Sequence, residues 1–516
     1  MNSMMTSGLI TPKECVLLTF ILLMINTLSA QVETKLIASD GEAGDFFGRS
    51  VAIEGEYIMV GASNDDNEKG TDAGSAYIFQ KVEDAWVETQ KLIASEIGDT
   101  AFFGYDVDID GDLAVIGACW SDDLGEKTGS AYIFRLEGSE WIEEAKLTAH
   151  DAGEDDRFGI SVSISGNYAV VGSFFDDDNG SRSGSAYIFK KEGASWTEQA
   201  KLTPGDGSTD DWFGVNVSVD GDYVAVGSRY NDNEKGTNAG AVYVYKREEA
   251  NWIEQTKLLP SEGFDNVYFD VCEIDGANLV VGAWGDGTLE TAAGAFYIFH
   301  NEEDSWLLVD KLFASDINMR DNFGRGVAIH GDRIVIGSFL DDDNGGDSGS
   351  GYIFRWNGAE WYEEMKLLAS DGDTLDNFGL SVDIDLNNVV VGARQDDDRG
   401  VNSGAVYVYQ LESTSMNDFP AEVQSTLELM QNYPNPFNTS TRIEYVIERN
   451  EQVSLLIYNS IGQVVRTLIS TYQPAGKYIV TWDGKDENGF RLSSGEYYFQ
   501  LFVGENMESK KAILIE

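Results

Sequence analysis

Between residues 32 and 411 apolar positions do not recur every three to four residues, so the chain shows no amphipathic-helix pattern there. Two other patterns take turns. One is alternation, as in Ser161-Val162-Ser163-Ile164-Ser165, which predicts a strand with one buried face. The other is a short continuous apolar run, such as YAVVGS at 168–173 or LVVGA at 279–283, which predicts a strand buried on both faces. A Gly-centred turn joins them: Asp110-Gly111-Asp112, Ser165-Gly166-Asn167, Asp220-Gly221-Asp222. Asp-Gly between apolar runs is a strong hairpin signal. A third segment reads AYIF or VYVY. A fourth carries Trp and then Lys-Leu, as in SWTEQAKL at 195–202.

This four-segment unit repeats. Phe-Gly opens it at Phe47, Phe103, Phe158, Phe213, Phe323 and Phe378, with Tyr268-Phe269 in the remaining place, every 55 or 56 residues. Four strands repeated seven times predict an all-β chain built as a seven-bladed β-propeller with four-stranded blades. Lys-Leu also occurs seven times, ending at Leu36, Leu92, Leu147, Leu202, Leu258, Leu312 and Leu367. The first precedes the first Phe-Gly, and the last unit stops at AVYVYQL without a fourth strand. Residues 32–38 are therefore expected to supply the outer strand of the last blade. That closes the ring and covers an edge that would otherwise invite pairing.

With FG…VGS and FG…VGA across residues 32–412, the chain resembles the FG-GAP repeat family, also found in integrin α chains. The resemblance implies a propeller and says little about activity. In integrin-type repeats calcium occupies a long DxDxDG loop after Phe-Gly. Here that connection is a tight turn. Asp106, Asp108 and Asp110 alternate with Val107 and Ile109 and are expected on the wet face of a strand.

Acidity changes the picture. The formal net charge is −54, which disfavours nucleic acid and anionic membranes and favours cations. Acidic runs fall between the second and third strands: Asp65-Asp66, Asp122-Asp123, Asp176-Asp177-Asp178, Asp232, Asp341-Asp342-Asp343 and Asp396-Asp397-Asp398. A second acid follows each recurring lysine by five residues, and a third lies two before the Phe. Propeller topology puts all three on one rim. These aspartates are candidate calcium ligands, since calcium takes 6–8 oxygens; the alternative is solvated turn residues. Repeat 5 keeps one acid, Asp286, so a cation site is not expected there. The Trp of the fourth strand is expected to pack. Trp120, Trp212 and Trp284 occur once each, near the acidic rim, and are candidate ligand contacts.

No zinc spacing, nucleophile elbow or phosphate loop appears, and the three histidines are scattered. The expectation is therefore a non-catalytic protein. Abundant carboxylates leave a polysaccharide-degrading enzyme as the alternative, and a passive surface scaffold as another. Residues 16–30, VLLTFILLMINTLSA, are too short to span a bilayer and read as a secretory signal within residues 1–30. The mature chain would then lack a transmembrane segment. Cys119 and Cys272 sit in unmatched positions and are expected to be unpaired.

After Leu411 the pattern breaks. Residues 413–425 read as a polar linker. Residues 426–516 form short strands with Asn-Gly and Ser-Gly turns, predicting a small Ig-like β-sandwich. YPNPFN at Tyr433–Asn438, IYNSIGQVVRTL, WDGKDENG, LSSGEYYF and the terminal KKAILI closely resemble the C-terminal sorting domain of type IX secretion cargo. That resemblance implies a Gram-negative bacterium of the Bacteroidetes kind, export through the periplasm, and a protein released or held at the outer cell surface. The type IX machinery is then one partner, with an extracellular polysaccharide or surface protein as the other.

Overall fold

The computed structural model describes residues 32–193, 195–411, 428–429, 435, 437–438, 440–447, 451–459, 464–473, 476–487, 490–503 and 506–515. Every regular element among them is a β-strand. The signal at 1–30 and the linker at 413–425 lie outside the described residues. The chain divides into two compact units, Met1–Glu412 and Ser413–Glu516.

The first unit holds seven four-stranded antiparallel sheets, the arrangement of a β-propeller. In repeat 1, Phe47–Glu54, Tyr57–Ala62, Ser75–Val82 and Ala85–Leu92 pair in sequence order. Repeats 2 to 6 do the same. In the seventh sheet Val382–Asp385, Asn388–Ala393 and Ala405–Gln410 are joined by Val32–Leu36, which pairs Val32 with Gln410 through Leu36 with Val406.

The Phe-Gly and Val-Gly signatures have one physical cause. The motif Phe is fully buried, edge-on to the Tyr of the third strand, with ring centroids 5.4 Å apart for Phe47–Tyr77 and 5.5 Å for Phe103–Tyr132. Burying one such ring contributes about 2–3 kcal/mol. The glycines are contact points between blades. A Cβ on Gly61 would lie 2.0 Å from the carbonyl oxygen of Gly104 in the next repeat, and one on Gly104, at φ +86°, 2.4 Å from the Ser75 carbonyl. Only glycine lets the two backbones approach this closely.

The inner strands, each the first of its sheet, are also stitched together. Asp106 and Asp108 accept the backbone N–H of Val162 and Ile164 at 2.8 Å, and Asp110 accepts that of Gly166. Asp106 and Asp108 are thus half-buried between blades rather than on a wet face, because each inner strand has a free edge of N–H donors that must be satisfied. The device recurs: Ser161 and Ser163 accept from Val217 and Val219, Asn216 and Ser218 from Cys272 and Ile274, and Asp383 from Ile53. At the outer edge Trp141 packs on Tyr57, Trp252 on Tyr168 and Trp306 on Tyr223, edge to face across two blades. Cys119 and Cys272 are buried free thiols.

The second unit is a sandwich of a three-stranded sheet, Glu428–Leu429, Thr441–Ile447 and Gly476–Trp482, on a four-stranded one, Glu451–Asn459, Val464–Gln473, Gly495–Val503 and Asn506–Leu514. Its core includes Phe437, Tyr445, Trp482 and Phe499. Among the described residues no helix is long and apolar enough to cross a membrane.

Candidate functional site

The acidic loops already contain cations, and the cations are lysines. Lys201 places its ammonium 2.8 Å from Asp151, 2.8 Å from Asp176 and 2.6 Å from Asp178. Lys366 does the same with Asp316, Asp341 and Asp343 at 2.8, 3.0 and 2.6 Å. Lys35, from the N-terminal strand, serves Asp371, Asp396 and Asp398 of the last repeat at 2.9, 2.8 and 2.6 Å. Lys91 pairs with Asp40 and Asp65, and Lys146 with Asp123. In repeat 4 Asn231 replaces the first aspartate and Lys257 keeps only Asp206.

Each aspartate of a run has its own task. The first, Asp65, Asp176, Asp341 or Asp396, is buried and also accepts the hydroxyl of Tyr77, Tyr187, Tyr352 or Tyr407. The next, Asp66, Asp122, Asp177, Asp232, Asp342 or Asp397, turns back to accept a backbone N–H five or six residues on. Repeat 5 is less of an exception than its sequence suggests: Asp286 still meets Lys311 at 3.0 Å and Tyr297 at 3.2 Å. Burial would lower the Lys201 pKa, but the hydrogen bonds it donates to Asp151, Asp176 and Asp178 outweigh it and raise it. The carboxylates of Asp151, Asp176 and Asp178 lie close enough together to hold a metal ion, and the Lys201 ammonium lies against all three.

The acids two before the Phe behave differently. Asp45, Asp156, Asp211, Asp321 and Asp376 are buried and accept the N–H three residues earlier in their own turn, at 2.6–2.9 Å. Burial pushes each of them up to about 6.

The chain departs from its own repeat at the mouth of the central bore. The residue before the motif Phe has positive φ in every repeat: Phe46, Phe102, Arg157, Trp212, Tyr268, Asn322 and Asn377, between 53° and 58°. Asn tolerates that left-handed conformation; bulky residues seldom adopt it. Five repeats nevertheless carry an aromatic ring or Arg there.

These side chains meet others from the end of the second strand to form a belt across repeats 2 to 5. Phe102 lies 4.8 Å from Trp120, and Arg157 stands over both Trp120 and Phe175, at 5.0 and 4.4 Å. Trp212 contacts Phe174, Phe175 and Tyr230. Tyr230 meets Tyr268, which stacks on Trp284 at 4.2 Å. The structure thus brings Trp120, Trp212 and Trp284 into one continuous belt of half-buried rings.

Inside the belt a cavity of about 330 Å³ is lined by inner-strand residues of all seven repeats. Arg49, Arg157, Arg229 and Arg325 line it together with Phe174, Phe175 and Trp212, and farther along the strands come Asp106, Asp108, Glu273 and Asp383. Arg229 is paired with the fully buried Asp270 at 2.9 Å; Arg49 stacks on Tyr105 at 4.0 Å. Asp270 stands where other repeats have the motif glycine. The inner strand of this repeat, Phe269–Asp275, is one residue shorter than those of repeats 1 to 4 and runs without the positive-φ glycine. Burial raises the pKa of Asp108 and Glu273, and the nearby Asp383 carboxylate raises both further.

The sequence reading did not single out the arginines. The signal that could have found them is their departure from the repeat: aligned on Phe-Gly, Arg49 and Arg325 face Tyr105, Ile160, Val215 and Leu380.

The family model described as FG-GAP repeat matches residues 31–79, 86–134, 141–189, 196–245, 306–354 and 361–409, more than half of the chain. The fifth repeat is unmatched yet folds into the same four-stranded sheet. A FlgD Ig-like domain model matches residues 438–504. No curated protein matches the chain. Among solved structures there is a likeness to PorZ, an essential bacterial surface component of the type IX secretion system of Porphyromonas gingivalis. It is 13% identical with a TM-score of 0.24, covering 90% of this chain and 75% of that one.

Proposed function

The chain belongs to the FG-GAP repeat family, and we propose that it is a non-catalytic binding or adhesion protein of the cell exterior whose ligand sits on the aromatic and arginine-lined mouth of the propeller. The observation that supports this most is the row of left-handed positions. The fold accepts Asn there, as Asn322 and Asn377 show, yet Phe102, Arg157, Trp212 and Tyr268 occupy the equivalent places. Each holds a strained backbone of about 1–3 kcal/mol, which suits side chains kept for what they touch.

Residues 31–412 form the binding domain in this reading, with the N-terminal strand closing the ring. Residues 426–516 act as a type IX sorting domain, on the strength of their resemblance in YPNPFN, LSSGEYYF and KKAILI. The signal at 1–30 takes the chain to the periplasm and the sorting domain takes it across the outer membrane, to be released or held at the surface. Calcium is not required at the acidic loops, where lysine supplies the positive charge.

The test is binding by the full mature chain to surface glycans and surface proteins, beside its Trp212→Ala variant. Wild type should retain a ligand that the variant loses at least tenfold, with an unchanged melting curve. No ligand for wild type, with or without calcium, would count against the reading. Deleting residues 426–516 in a type IX-competent host should trap the protein in the periplasm.

A further inference from the structure

The geometry points to a glycan bearing isolated carboxylates as the ligand of the mouth, its sugar rings on the aromatic belt and an acidic group held by the arginines of the bore; this rests on the binding reading above. Four arginines line one cavity in a protein of net charge −54. Of these, Arg229 is neutralised by Asp270, and Arg157 reaches the exposed Asp155 at 3.1 Å. Arg325 is half-buried and has no ion-pair or hydrogen-bond partner among the described residues; Arg229 and Arg49 press against its charge, and Asp270, already paired with Arg229, offsets them only in part. A half-buried cation beside two like charges is stabilised by an anion brought next to it. The anion cannot pass through, because Asp106, Asp108, Glu273 and Asp383 line the same bore beyond.

The belt narrows the class. A belt of half-buried rings over four repeats offers apolar contact to several sugar rings in succession. A peptide strand finds no edge to pair with, since the inner-strand N–H groups are already held by Asp106, Asp108, Ser161 and Ser163. Nucleic acid, or any chain with a charge on every unit, meets the repulsion of the whole molecule. A mostly neutral glycan with occasional carboxylates fits both the arginines and that repulsion.

The experiment measures binding of the full mature chain to glucuronoxylan, xanthan, gellan and gum arabic, each beside its carboxyl-reduced form, and to polygalacturonate. At least one native glycan should bind, with at least tenfold loss on carboxyl reduction. Arg325→Gln should lose the same factor while Trp212→Ala loses binding to native and reduced forms alike. Equal binding of native and reduced forms, or no effect of Arg325→Gln, overturns the carboxylate assignment and leaves the binding face standing. Binding only to polygalacturonate, or only to a surface protein, overturns the glycan class. No binding to any of the glycans overturns this proposal, and the binding reading falls with it only if the surface-protein screen is also empty.

Discussion

At the scale of the residue, the recurring lysine decides what the acidic runs do. Lys201→Met leaves the buried Asp176 beside Asp151 and Asp178 with no lysine ammonium among them, only the Tyr187 hydroxyl. Breaking a pair of this kind by removing one partner costs about 3 kcal/mol. Melting should show a clear fall for the variant, and the fall should be partly restored by millimolar calcium but not by sodium of equal ionic strength. Wild type should show no calcium-specific rise; such a rise would return the runs to metal ligands. A second expectation concerns strain. Phe46, with φ 55°, is half-buried against Arg394 and lies outside the aromatic belt. Phe46→Asn should leave the melting temperature at or above that of wild type, as left-handed strain of order 1 kcal/mol is relieved. The acids were legible in the sequence and so were the lysines, five residues before the second acid. What one-dimensional reading lacks is the partner: Lys201 draws Asp176 from the loop between the second and third strands of its own sheet, 25 residues away, and Asp151 from 50 residues away. The same blindness hid the arginines of the bore, which come together from separate blades.

At the scale of the element, the inner strand is the weak point of the fold. It has one partner in its own sheet and a free edge toward the bore, and the preceding blade covers that edge with side chains rather than backbone. Asp108→Ala should strand the Ile164 N–H and destabilise by about 1–3 kcal/mol, the penalty for an unpaired buried donor. Asp108→Asn keeps one acceptor oxygen for Ile164 and removes a charge that burial disfavours, but loses the second oxygen, which accepts the Ile109 N–H at 2.8 Å, so it should cost clearly less than Asp108→Ala. Urea unfolding of the two variants separates them; equal loss in both would mean that the charge, not the acceptor, matters. The strand count, the hairpins and the borrowed outer strand are written locally, in Gly turns and in period-two alternation, and the sheets match them. The role of Asp106 and Asp108 is not local. Alternation with Val107 and Ile109 says only that these side chains point away from one core, and water and a neighbouring blade look alike from there.

At the scale of the whole molecule, charge and pH govern stability. Five buried turn aspartates, Asp45, Asp156, Asp211, Asp321 and Asp376, titrate at about 6 when folded, against about 3.9 in an unfolded chain. Between those values the folded state holds protons that the unfolded state has released. Stability then falls as pH rises through this window and increases as pH drops from 7 toward 4. Asp40, Asp151, Asp206, Asp316 and Asp371 work the other way: burial raises their pKa, but the lysine and tyrosine hydrogen bonds outweigh it and the net shift is downward. Their stabilisation is present above about 3.9 and is lost as they protonate below it. The melting temperature should therefore peak near pH 4–5 and decline on both sides. General repulsion among 89 acidic residues would also favour mild acid, but 1 M salt shortens the screening length to about 3 Å and should flatten that contribution while leaving the turn aspartates, which are screened by protein rather than solvent. A peak that persists at 1 M salt assigns the effect to the turns; one that vanishes assigns it to net charge; a melting temperature that falls steadily from pH 7 downward contradicts the raised carboxylates altogether.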